Sequence, residues 1–324
     1  MKALVTGAAG FIGSHVVDAL NAAGAEVRGF DRREATGAGE FVVADILDEQ
    51  ALERALEGCD TVFHLAACYS YDRADASLME RVNVAGTRAV IAAALRGSKA
   101  RRIVHTSSCA TCGPVPGRPA TEADHPAAWE LRVPYKRTKL DAERLALAAA
   151  AEGLDIVVVN PTTPVGPGDR RPTPTGKMVA DVAGGRARAY LARSALNIVA
   201  VEDVASGHLL ACERGRAGQR YLLGGENMAM RDVFAAIAGA VGRGAPRVAV
   251  PWTLAYAAGR LSDLAQRLAH REPTLLNLDE IRVARWPMTF NDDLARRELG
   301  YVSRPAAVAL AAAALATQAA AGRR

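Results

Sequence analysis

Short runs rich in Val, Ile, Leu and Phe alternate with amphipathic stretches through the first half of the chain. Residues 2–5, 41–43, 61–65, 102–106 and 156–159 are nearly continuous in apolar or small side chains. That pattern suits strands of a parallel sheet buried on both faces. Residues 26–30 form a further strand of more mixed character. Between the first two strands, Ile12, Val16, Val17 and Leu20 recur at helical spacing. Residues 75–95 and 141–151 read as helices, the second extended backwards to Pro134, which suits a first helical turn. Regular alternation of strand and helix predicts an α/β fold, a doubly wound parallel sheet covered on both faces.

Beyond about residue 168 the alternation loosens. Five prolines between positions 161 and 174 suit neither helix nor central strand and predict an ordered loop. A strand at 197–201 is followed by helices at 203–213, 231–241, 252–268 and 292–299, and the Ala-rich stretch 306–321 predicts a terminal helix. Residues 1–168 are therefore expected to form one α/β domain to which 197–213 return. Residues 169–324 supply a smaller, mostly helical C-terminal substrate lobe, packed with the first as one unit.

Composition adds little. A net charge of +5 over 324 residues with 5% aromatics carries no basic surface interleaved with stacking rings, so no nucleic-acid partner is expected. Five cysteines without regular spacing fit thiols in a reducing cytoplasm, and Cys109-Ala-Thr-Cys112 lacks the further ligands of a metal site. No apolar run is long enough to span a membrane.

The candidate chemistry follows the strand ends. Thr6-Gly7-Ala8-Ala9-Gly10-Phe11-Ile12-Gly13 joins a strand to a helix, and its glycines let the backbone approach a pyrophosphate at a helix N-terminus, as in a Rossmann-type fold. Asp31 lies 18 residues beyond Gly13, where an acid accepts from an adenosine ribose 2'-hydroxyl and repels a 2'-phosphate; Arg32 is placed to hold that phosphate instead. NAD is favoured over NADP. Asp45 follows the third strand, where it can accept from adenine or cap a helix. Ala66 and Ala67 leave room beside the fourth strand. Tyr135 and Lys139 sit one turn apart on one helix face, so a cation next to a phenol favours proton transfer near neutral pH.

Together, Thr6 to Gly13, Asp31, Asp45-Ile46, His64-Leu65-Ala66-Ala67, Asn83 to Thr87, Thr106-Ser107-Ser108, Tyr135 to Lys139 and Asn160-Pro161 resemble the extended branch of the short-chain dehydrogenase/reductase superfamily, the NAD-dependent epimerase/dehydratase family. Segments 161–167 and 172–176, with Gly224-Gly225-Glu226-Asn227, are similar to the hopanoid-associated sugar epimerase subgroup. The resemblance implies that Tyr135 is the general acid/base, that Lys139 holds the nicotinamide ribose and depresses the Tyr135 pKa, and that Ser108 orients the substrate oxygen. It adds Phe11, Ile12, Ile46, Leu65, Asn83, Thr106 and Pro161 to the cofactor site, and Asn160, Thr162, Thr163 and Lys177 to Ser108 at the substrate. The implied reaction is hydride transfer at a secondary alcohol or ketone of a sugar-like small molecule, with sugar epimerisation as a narrower reading. A homodimer through the Tyr135 helix and the preceding long helix is also implied.

Two departures matter. Leu196 stands where sugar-nucleotide members carry an Arg, and Ser108 is followed by Cys109 and Ala110 rather than the acidic pair of dehydratases. Leu196 and Arg32 lean towards an alternative, a reductase of a more hydrophobic ketone resembling the dihydroflavonol reductase group. A non-catalytic dinucleotide sensor is the other alternative; it would not need Ser108, Tyr135 and Lys139.

Overall fold

The computed structural model describes residues 1–35, 37–96, 102–269 and 278–322. Its centre is a seven-stranded parallel sheet of β1 (Lys2–Thr6), β2 (Glu26–Asp31), β3 (Glu40–Val43), β4 (Thr61–His64), β5 (Arg102–Thr106), β6 (Ile156–Pro161) and the later β10 (Arg220–Leu223). The order across the sheet is β10-β6-β5-β4-β1-β2-β3. Thr6 pairs with His64, His64 with His105, and Thr106 with Val159, so the carboxyl ends of the central strands form one edge. Ligands bind beyond that edge in such sheets.

The strand pleat sorts side chains into two cores. Val5, Phe63, Val104 and Val157 face α1 (Phe11–Ala22) and α7 (Val201–Arg214). Leu4, Val62, Ile103 and Ile156 face α2 (Glu49–Leu56), α4 (Gly86–Leu95) and α5 (Pro134–Ala151). Each such side chain, taken out of water, contributes about 1.5–3 kcal/mol. The expected helix at 75–95 is a succession of short α3 (Ala76–Met79), a π-helical stretch Glu80–Ala85 and α4. Such π segments cluster at functional sites, and this one carries Asn83.

The Pro-rich segment is more regular than expected. It contains β7 (Thr163–Val165), an edge strand beside β9 (Ala195–Ala200) in a small sheet completed by β11 (Glu226–Ala229). Pro164 is tolerated because an edge strand leaves one side unpaired. Pro174 then opens α6 (Pro174–Ala183), where the Thr173 hydroxyl accepts from the Gly176 N–H at 3.0 Å. The segment 197–213 divides: α7 returns to the large sheet against α1, whereas β9 stays in the small one. The strand that does return, β10, was not expected. β8 (Ala189–Leu191) pairs with β12 (Val248–Val250), and α8 (Met230–Ala240) and α12 (Ala306–Ala321) enclose the second core. The helices α9 (Trp252–Ala269) and α10 (Leu278–Val283) complete the lobe, and α11 (Asp293–Leu299) packs back on α7 and β10.

Candidate active site

The first turn of α5 is fastened before it presents Tyr135. Pro134 occupies the first helical position, and Lys136, with Glu130, forms a buried ion pair while also donating to the Gly113 carbonyl at 3.0 Å. Tyr135 and Lys139 emerge on the sheet side, 9% and 4% exposed. The Lys139 Nζ donates to the Thr106 carbonyl at 2.7 Å, and burial pulls its pKa down to about 8 against the opposing pull of Glu143. Burial raises the Tyr135 pKa above the usual tyrosine value and outweighs the lowering influence of the Ser108 hydroxyl. The expected depression by Lys139 is therefore not found in this structure, because desolvation is the larger effect.

Behind Ser108 lies a buried polar scaffold. The Glu143 carboxylate accepts from Thr111 and Asn160 at 2.7 Å each and pairs with the Arg220 guanidinium at 2.7 Å. The Asn160 amide also donates to the Ser108 carbonyl at 3.1 Å. Arg220 continues to the backbone carbonyls of Glu122 and Asp124. In front of Tyr135 stands an aromatic wall: the Tyr69 ring lies 4.3 Å from it, centroid to centroid, and the Tyr71 ring 6.1 Å. Met79, Val133 and Val283 of α10 complete that apolar surface.

At the other end of the strand edge the glycines form a narrow cradle. Gly7 adopts φ +73°, and a Cβ there would meet the Ala66 nitrogen at 2.7 Å; a Cβ on Gly13 would meet the Gly7 carbonyl oxygen at 2.0 Å. The α1 N-terminus at Gly10 has no side-chain cap. The Asp31 carboxylate accepts from the N–H groups of Ala9 and Arg33 at 3.2 Å each, which sets it beside the Gly-rich turn. This geometry fits a dinucleotide: backbone donors and a helix N-terminus for the diphosphate, and a carboxylate for the ribose.

The model of the NAD dependent epimerase/dehydratase family matches residues 3–224. The chain belongs to that family. It is similar to the putative dihydroflavonol 4-reductase of Synechocystis sp. (strain ATCC 27184 / PCC 6803 / Kazusa), 35% identical over 307 residues covering 91% of this chain and 88% of the relative. It is equally similar to sterol demethylase protein B of Methylococcus capsulatus (strain ATCC 33009 / NCIMB 11132 / Bath), 35% identical over 309 residues covering 93% and 94%. Among solved structures, a nucleoside-diphosphate-sugar epimerase from Pseudomonas aeruginosa superposes with a TM-score of 0.80 at 27% identity, covering 99% of this chain and 98% of that one.

As an epimerase/dehydratase family member with an NAD-type cofactor, the chain brings most of its sequence-predicted residues to one groove. Gly7, Gly10, Phe11, Ile12, Gly13, Asp31, Leu65, Ala66, Ala67, Ser108 and Pro161 lie at or just beyond the strand ends, and Tyr135 and Lys139 are carried by α5, from which Lys139 reaches the end of β5. Asp45 holds the Leu47 N–H at 3.0 Å, and Arg32 leans on it at 3.7 Å; the cap of α2 is Asp48 instead. Several expected contacts act indirectly. Ile46 is 4% exposed and packs beneath Gly86, so its side chain belongs to the core. The Asn83 amide is consumed by the Cys68 backbone and by the Thr138 hydroxyl, so it positions the loop after β4. The Thr106 hydroxyl meets His208 Nε2 at 2.9 Å on the opposite face of the sheet, leaving only its carbonyl for Lys139. Asn160 is fully buried beneath Ser108 and cannot reach substrate. Thr162 is held by the Leu223 carbonyl, and Lys177 is exposed on α6, where its charge faces Glu280. The sequence reading missed Tyr69, Tyr71, Glu143 and Arg220. The two tyrosines follow Ala66-Ala67 at a strand end already marked for ligand, which was the available signal.

Proposed function

We propose that the chain is an NAD(P)-dependent ketoreductase or secondary-alcohol dehydrogenase whose substrate carries a flat apolar body next to the reacting oxygen. The observation that carries this reading is the aromatic wall of Tyr69 and Tyr71 against Tyr135. Ring faces and aliphatic groups at the proton donor favour a planar carbon skeleton, whereas a sugar would require hydrogen-bonding partners there. Leu196 supports it, since the place of the diphosphate-binding Arg is paired in the small sheet with Met228 and bridged to Met288. The dihydroflavonol and sterol named for the two relatives are ring systems of that kind.

A bound nicotinamide supplies or receives the hydride. Ser108 orients the substrate oxygen, and the Tyr135 hydroxyl gives its proton to that oxygen as negative charge develops. A phenol whose pKa is raised by burial stays protonated near neutral pH, the form that a reduction consumes. Lys139, steadied by the Thr106 carbonyl, keeps a cation beside the ribose position.

Epimerisation of a sugar-like substrate is the second reading, favoured by the likeness to the Pseudomonas epimerase. Purified protein tested by gel filtration, then assayed with NADH and NADPH against cyclic aromatic ketones and UDP-sugars, separates the two. The ketoreductase reading expects cofactor-free protein that oxidises NAD(P)H in step with ketone consumed, and a Tyr69→Ala variant with KM raised about tenfold, the loss of roughly 1.4 kcal/mol of substrate binding. Protein that retains cofactor and epimerises sugar nucleotides without net oxidation would overturn it.

A further inference from the structure

His105 sits on β5 one residue before Thr106, in register with His64 on β4 and Val158 on β6. It is 2% exposed, yet neither ring nitrogen has a hydrogen-bond partner among the described residues. Leaving a buried polar group unsatisfied costs about 1–3 kcal/mol, so buried side chains almost always find a partner, protein or water. Its neighbour His64 shows the ordinary solution. Thr87 donates its hydroxyl proton to the Asn83 carbonyl at 2.6 Å, so His64 Nε2 must donate to Thr87 at 3.0 Å and His64 Nδ1 must accept from Thr6 at 2.8 Å. That imidazole is neutral, satisfied and unavailable to anything else. His105 is neither.

Lys139 has the opposite deficit. An ammonium carries three N–H donors, and at 4% exposure this one has, among the described residues, a single partner, the Thr106 carbonyl. The backbone carbonyl it uses belongs to the residue that follows His105, and its charge bears on both His105 and His64. A buried donor short of acceptors and a buried ring short of partners thus belong to one end of β5, where the charge of the first bears on the second.

We propose that His105 is a positioning residue for Lys139: its neutral imidazole accepts, through one internal water, the ammonium N–H directed away from the cofactor groove. Two N–H groups are then held by β5, one by the Thr106 carbonyl and one by His105, and the third is directed at the nicotinamide ribose and Tyr135. This deepens the catalytic reading of Tyr135 and Lys139 and rests on it. The titratable groups bearing on His105 are Lys139 from α5 and His64 from β4; Thr87 of α4 and Val158 of β6 carry no charge. Burial, with His64 and Lys139 adding to it, holds the His105 pKa well below the usual histidine value, so the ring keeps a lone pair throughout the working range.

Two measurements test this. In the cofactor-free, full-length protein, nitrogen-15 spectra of the histidine rings are expected to show a hydrogen-bonded acceptor nitrogen on His105 that moves towards the free position in Lys139→Met. A His105 signal indifferent to that substitution overturns the proposal, whatever the protein catalyses. In the pH profile of kcat, His105→Phe removes both nitrogens at similar volume and is expected to move the alkaline limb down by about one unit, because a lysine that loses an acceptor gives up its proton more easily. His105→Gln, which keeps an acceptor, is expected to restore the limb. A His105→Phe profile that coincides with the parent, or a His105→Gln profile shifted as far as His105→Phe, overturns it. Should His105→Phe fail to fold, the spectra decide alone. An active Tyr135→Phe enzyme with the spectral coupling intact would instead count against the catalytic reading and leave the contact standing.

Discussion

Lys139 shows how one residue's placement works against the stability of the fold. An unfolded lysine keeps its proton up to the usual value of 10.5, whereas the folded one releases it at about 8. Between those values the unfolded chain binds more protons, so stability rises with pH across the window. Below about pH 8 the full cost of burying the charge is present. Lys139→Met is therefore expected to be more stable than the parent at pH 7, with the difference shrinking as the pH approaches 10.5. Denaturant titrations at the two ends check this, and a Lys139→Met protein that is less stable than the parent at pH 7 would show that the ammonium contributes to folding instead. The spacing of Lys139 to Tyr135 placed both on one helix face, and the expected role came from the resemblance carried by the other strand ends. The effect of Lys139 on the phenol was not legible, because desolvation depends on everything packed around the pair, including Tyr69 and Tyr71 from another strand end.

Among the elements, β10 does most to explain why Ser108 is held in place. Arg220 enters from this last strand of the large sheet and pairs with Glu143 of α5, and the same carboxylate holds Asn160 and Thr111 beneath Ser108. Arg220 and Glu143 are 7% and 1% exposed, so removing one partner leaves a charge uncompensated in the interior. Arg220→Leu is expected to cost about 3–5 kcal/mol, read as a lower urea midpoint; a change below about 1 kcal/mol would mean that water reaches the Glu143 carboxylate. The strands β1 to β6 were legible because Val, Ile and Leu runs sit between turn signals at regular intervals. β10 was not, since Arg220-Tyr221-Leu222-Leu223 is only four residues long and lies beyond residue 168, where the alternation of strand and helix loosens. β7 was obscured by its prolines, which an edge position tolerates but a sequence pattern reads as a loop.

For the whole molecule, one edge of a parallel sheet gathers residues separated by more than a hundred positions, and the order of elements made that edge predictable. Gly7, Asp31 and Ser108 were found by following strand ends, and Tyr135 by its helical spacing to Lys139. Asn160 and Thr106 were assigned too directly, because being at a strand end does not reveal which face of the sheet a side chain takes. The expectation of a dimer is subject to the same limit. The alanines of α5 that suggested close packing with a second copy include Ala142, Ala146 and Ala149, which face the core, while Arg137 and Arg144 of α5 and Arg81 and Arg88 of the preceding helical segment are exposed. Within the described residues no helix is long and apolar enough to cross a membrane. The central claim is that the phenol of Tyr135 moves the proton while Ser108 and Lys139 set its surroundings, and it is tested most directly by the turnover of Tyr135→Phe with an apolar ketone and NAD(P)H. Loss of a general acid is expected to lower kcat by at least ~100-fold, with circular dichroism and cofactor binding unchanged. A purified variant that keeps kcat within a few-fold of the parent would contradict the account.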